Sequence, residues 1–93
     1  MHYFASRFAL RVVRSGGEVT CLAEIPRWDF GWEQPFWLTN PVELGPDDEL
    51  YIECHFDNSA ANQPIPGTTP RDIGWGDSNQ DMCAGFVGYV ALE

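Results

Sequence analysis

Apolar and polar residues alternate from residue 4 to residue 14, with Phe4, Phe8, Leu10 and Val12 on one side and Arg7 and Arg11 on the other. A period of two turns one face of an extended chain inward and the other toward water, so this stretch predicts a half-buried strand. Ser15-Gly16-Gly17-Glu18 follows. Glycine reaches positive φ without a Cβ clash, which makes these residues a hairpin turn. The chain returns with Val19, Cys21, Ala23 and Ile25 on one side, an arrangement that places Cys21 in the core as a buried, unreactive thiol. Residues 49–56 alternate again: Leu50, Ile52, Cys54 and Phe56 are expected inward, and Tyr51, Glu53 and His55 outward. Two further strands are predicted, a short one over residues 35–38 and a closing one over 82–92.

Turn chemistry separates these segments. Pro26 ends the second strand, Asn40-Pro41 reverses the chain, and Gly45-Pro46-Asp47-Asp48 places Pro and Asp where turns favour them. Residues 57–81 contain Pro64, Pro66 and Pro70 among Asn, Gly, Ser and Thr, with neither strand nor helix period. A loop that long in a small domain is functional or pinned down. Helical periodicity and internal repeats are both missing from the sequence. Short strands punctuated by Gly and Pro predict an all-β fold, a jelly-roll β-sandwich, with all 93 residues in one domain.

Composition sharpens this picture. An aromatic share of 14% supports a packed core over disorder. A domain of this size buries only about 60 to 65% of its unfolded surface, so a covalent staple has much to add. The cysteines are Cys21, Cys54 and Cys83. Cys54 and Cys83 flank the Pro-rich loop on apolar strand faces, and a bond between them is expected to stabilise by about 3.5 kcal/mol on the chain-entropy account. Net charge is −9, a balance that repels nucleic acid and anionic membrane surfaces. No apolar run approaches the ~20 residues of a bilayer span. Arg7, Arg11 and Arg14 interrupt the first apolar stretch, so no signal peptide is read there. The chain enters a strand almost at once, as expected of a piece of a longer protein. A Lys-free, acidic, Trp-rich chain with a pairable cysteine suits an exported, oxidising setting.

Candidate chemistry gathers in the stretch from Gly74 to Cys83, where a turn-rich loop sets a thioether beside a thiol. Neighbouring strand residues face opposite ways, so Cys83 directed inward with Val87 and Tyr89 sends Met82 outward with Ala84 and Phe86. Met82 is then either filler in a second apolar layer or a metal ligand. His2, His55 and Met82 are the available donors, and imidazole with thioether is a copper set because soft sulfur suits Cu(I). The exposed-face position of His55, beside Tyr51 and Glu53, marks it as solvated or structural. The segment 27–34 carries Trp28, Phe30 and Trp32. It reads either as a plug over one end of the sandwich or, together with Trp37, as a contact surface for a peptide or sugar. Walker loops, dinucleotide fingerprints and zinc-type CxxC spacing do not occur.

The combined motifs carry a resemblance. Ile25-Pro26-Arg27-Trp28-Asp29-Phe30-Gly31-Trp32-Glu33-Gln34, Cys54-His55-Phe56-Asp57-Asn58-Ser59 with the following Ala60-Ala61-Asn62-Gln63-Pro64, and Trp75-Gly76 leading to Asp81-Met82-Cys83 resemble the C-terminal domain of the copper type II, ascorbate-dependent monooxygenases. That is the family of peptidylglycine α-hydroxylating and dopamine β-monooxygenases, and the likeness is to its bacterial members. It implies a jelly-roll sandwich with a copper ion held by a His-x-His pair and a Met, where dioxygen is activated for C–H hydroxylation and ascorbate is the external reductant. The family's Met falls on Met82, the second His of the pair on His2, and the disulfide on Cys54 and Cys83. The first His would lie immediately before residue 1, and the family's other copper centre in a preceding domain. Weak copper binding is therefore expected of these 93 residues, completed by water or by a neighbouring copy in a homo-oligomer, and turnover is expected to need the preceding domain. The alternative expectation is a non-catalytic interaction or glycan-binding module with a vestigial copper site.

Overall fold

A computed structural model describes residues 1–76 and 80–92. Three strands follow the alternation closely: β1 is Ala5–Val13, β2 is Val19–Ile25 and β3 is Glu49–Phe56. They form one antiparallel sheet in the order β2-β1-β3. The β1–β2 turn closes as its glycines predict: Gly17 has φ +92°, Arg14 N–H donates to the Glu18 carbonyl at 2.7 Å, and Gly17 N–H donates to the Arg14 carbonyl at 2.8 Å. The fold is β-rich, and its described helical turns are two short 3-10 pieces, Phe30–Trp32 and Ala60–Asn62. Among the described residues no helix is long and apolar enough to cross a membrane.

The cross-strand register sorts the two faces. Phe8, Leu10 and Val12 oppose Cys54, Ile52 and Leu50, while Arg7, Ala9 and Arg11 oppose His55, Glu53 and Tyr51. Partners across a ladder share a face, so one side is apolar and carries Cys54, and the other carries charge. On the charged side Arg7 pairs with Glu24 at 2.8 Å and Arg11 with Glu53 at 3.6 Å. His55 is exposed, as expected, and its Nε2 lies 3.2 Å from Glu53. A hydrogen bond from His55, with Arg11 nearby, holds the Glu53 carboxyl below the usual range.

Cys21 departs from the expectation of a buried thiol: it is free and exposed. The cause is a β-bulge. Leu10 pairs with Ala23 but Arg11 pairs with Cys21, so Leu22 has no opposite number. Unbroken register would set Cys21 against Val12, which is fully buried; the bulge sets it against Arg11, on the charged face.

Residues 35–38 and 82–92, expected as strands, are irregular. A strand needs a neighbouring ladder for its backbone groups, and neither segment finds one among the described residues. Gly85 and Gly88 further weaken a closing strand. Gly85 crosses the apolar face instead, where an added Cβ would lie 3.4 Å from Ile52 Cδ1 and 3.8 Å from Phe8 Cζ. Beyond it Phe86, Tyr89, Val90 and Leu92 are exposed. The molecule is accordingly extended, with a radius of gyration of 15.8 Å, against about 12 Å for a compact domain of this length. Among the described residues the buried apolar ones are Met1, Phe4, Ala5, Ala9 and Val12, all in or just before β1.

Candidate metal centre

Residues 1–5 lead into β1 and are buried apart from Tyr3. What holds them is hydrogen bonding as much as apolar contact. The Phe4 carbonyl accepts from Asp57 N–H at 2.7 Å, just after β3, and the Ser6 carbonyl from Trp28 N–H at 2.8 Å. The Trp28 indole Nε1–H donates to the His2 carbonyl at 3.1 Å. The segment is therefore clasped from both sides of the sheet.

Asp81 makes the third attachment. Its carboxylate is buried and accepts three backbone N–H groups: Oδ1 takes His2 at 2.7 Å and Met82 at 2.8 Å, and Oδ2 takes Phe4 at 2.9 Å. The backbone of Asp81 is fixed in turn. Its N–H donates to the Gly74 carbonyl at 3.1 Å, and its carbonyl accepts from Gly76 N–H at 3.2 Å. Residues 77–79 of the turn-rich loop lie outside the described residues. The two amides that share Oδ1 bring the backbones of His2 and Met82 together, although their codons lie at opposite ends of the sequence.

The His2 ring is buried at 5% exposure. Phe30 stacks on it, with centroids 5.2 Å apart and planes inclined by 21°, and Tyr3 meets the same Phe30 ring at 4.7 Å. Phe30 is presented by the 3-10 turn Phe30–Trp32, which Asp29 caps by accepting Gly31 N–H at 2.8 Å. On the ring edge, Nε2 lies 3.6 Å from the Glu33 carboxylate. Nδ1 is buried and has no hydrogen-bond partner among the described residues. A buried ring nitrogen without a partner is uncommon and asks for an occupant.

Met82 is half-buried and Cys83 is more exposed, the reverse of the inward thiol and outward thioether that strand alternation predicts. Because residues 82–92 form no strand, alternation does not govern them. The disulfide itself is present: Cys54 and Cys83 are bonded, with Cα atoms 5.7 Å apart. It ties residue 83 to β3 while Asp81 ties residue 81 to the start of β1, so Met82 is held between two anchors. Among the described residues no group of three or more His, Cys, Asp or Glu side chains could hold a metal ion. The protein donors on offer are imidazole and thioether, which suit copper better than zinc or calcium.

The aromatic loop divides between its two expected roles. Trp28 and Phe30 are half-buried against His2 and Tyr3, as a plug would be. Trp32 is 46% exposed and stacks on Phe36 at 6.0 Å, and Trp37 is 95% exposed. These last residues border an open cleft of about 310 Å³ against Leu22, Ala23 and Ile25 of β2.

Asp81 and Glu33 escaped the sequence reading because carboxylates are abundant in an acidic chain. The usable signal for Asp81 was its place in a Gly-rich loop immediately before Met82, where a short acidic side chain readily accepts backbone N–H groups. No protein-family model, no curated protein and no solved structure matches this chain.

Proposed function

We propose that this chain is a copper-binding domain of the type that completes ascorbate-dependent monooxygenases, with His2 and Met82 as its protein ligands. The observation that carries the reading is the buried Nδ1 of His2, without a hydrogen-bond partner among the described residues, on a residue whose backbone shares the Asp81 oxygen with that of Met82. Copper cycling between its two oxidation states supplies one-electron chemistry toward dioxygen, with ascorbate as the external reductant. The chain's own residues bind and shield. His2 offers a fixed nitrogen and Met82 a soft sulfur that favours Cu(I), with the Glu33 carboxylate 3.6 Å from the other ring nitrogen of His2. Phe30 covers one face of the ring. In this reading the sheet β2-β1-β3 is part of a jelly-roll sandwich, the protein is exported, and C–H hydroxylation needs the preceding copper domain as partner.

Cu(I) titration against a competing chelator tests it. The chain is expected to take up one equivalent, and His2→Ala and Met82→Ala are each expected to weaken binding about tenfold or more, the scale on which even outer-shell partners act. Affinity unchanged in both variants removes the reading.

The exposure of Trp37 and Phe36 beside the β2 cleft supports a second reading, a non-catalytic interaction or glycan-binding module, since exposed aromatics supply stacking area. Glycan-array binding that disappears in Trp37→Ala is its expected signature, and an array without hits eliminates the sugar ligand.

A further inference from the structure

We infer that Asp81 is the positioning residue of the metal centre: its single buried carboxylate sets the separation of the two ligand-bearing segments, an inference that rests on the copper reading above. Three observations combine. Residues 82–92 have no strand partner among the described residues, so the sheet does not fix Met82. The disulfide bonds residue 83 to Cys54 of β3 and not to the His2 segment. What joins the two segments directly is Asp81, through His2 and Met82 on Oδ1 and Phe4 on Oδ2. A ligand pair drawn from two independently mobile segments must be ordered by the metal itself, and that ordering subtracts from affinity. Asp81 removes the cost beforehand by fixing both backbones through one rigid, short side chain.

Position and mere stability can be told apart. Val12 is fully buried in β1 opposite Leu50 and Thr20, and Val12→Ala destabilises the fold while leaving the three hydrogen bonds to Asp81 in place. Asp81→Ala is expected to lower Cu(I) affinity about 10- to 100-fold, as loss of an outer-shell partner does, while Val12→Ala leaves it within about twofold. Asp81→Glu keeps the charge and both acceptor oxygens but moves them by one methylene, so it covers the case in which the alanine variant does not fold. Its affinity is expected to fall several-fold. A readout without metal accompanies these: amide exchange at His2, Phe4 and Met82 should accelerate together in the Asp81 variants and not in Val12→Ala. Wild-type Cu(I) affinity in a folded Asp81→Ala or in Asp81→Glu, while His2→Ala and Met82→Ala lose theirs, overturns the positioning role alone. Absence of Cu(I) binding in the unaltered chain overturns both.

Discussion

His2 and Met82 share one hydrogen-bond acceptor: the backbone N–H of each donates to Oδ1 of Asp81, at 2.7 and 2.8 Å. Hydrogen bonds to a charged acceptor are worth about 1.5 to 3 kcal/mol each, and removing the acceptor leaves the donors orphaned. Asp81→Ala is therefore expected to cost at least about 3 kcal/mol of metal-free stability, since the Phe4 N–H is lost as well. Urea unfolding of the disulfide-intact protein measures this. A midpoint equal to the unaltered chain's would show that the cluster contributes nothing.

The thiol inventory gives a second expectation. In the native, unreduced protein Cys21 is the accessible free thiol and should take one alkylating group, because Cys54 and Cys83 are spent on each other. Intact mass should show three labels only after reduction in denaturant. With the bonded cysteines separated by 29 in sequence, the chain-entropy account assigns about 3.5 kcal/mol to the bond. Reduced protein should unfold at correspondingly lower urea.

Burial predicts a contrast between two valines. Val12 is fully buried and opposes Leu50 and Thr20 across the sheet, whereas Val19 is 55% exposed at the start of β2. Val12→Ala is expected to cost about 2 kcal/mol from lost apolar transfer and the cavity left behind. Val19→Ala should stay within about 0.5 kcal/mol. Equal effects would mean that the apolar face is not the organising surface.

Acid should loosen the turn that clips the hairpin to the start of β3. Asp48 Oδ2 accepts Gly45 N–H at 2.8 Å and the Arg14 guanidinium at 2.7 Å. Those bonds, the Gly45 one foremost, hold the Asp48 carboxyl below its ordinary value of 3.8. A carboxyl that is more acidic in the folded state contributes stability above its ordinary value, and the contribution is lost as pH falls through the folded-state value. The stability difference between the unaltered chain and Asp48→Asn should hence be constant above about pH 5 and shrink below pH 4. A gap that widens on acidification would reverse the sign of this account.

Alternation over 4–14, 19–25 and 49–56 located all three strands, because hairpin strands are specified by local pattern and turn residues. The same pattern assigned Arg7, Arg11, Glu53 and His55 to one face, where the register places them. The cysteine pairing was legible too, since only Cys54 and Cys83 bracket a long loop that a small domain would profit from closing. Cys21 was not legible in this way: a one-residue bulge at Leu22 inverts the phase of everything before it in β2, and alternation has no record of where a ladder slips.

The sequence by itself determined the sheet-forming segments, the staple and the presence of imidazole and thioether donors, all of which depend on residue type and short spacing. Only the tertiary structure decided that residues 82–92 stay outside the sheet, because a strand exists only where a neighbouring edge offers its hydrogen bonds. It also decided that the backbones of His2 and Met82 are tied to one carboxylate, since three backbone amides converge on Asp81, and backbone amides carry no mark in a sequence.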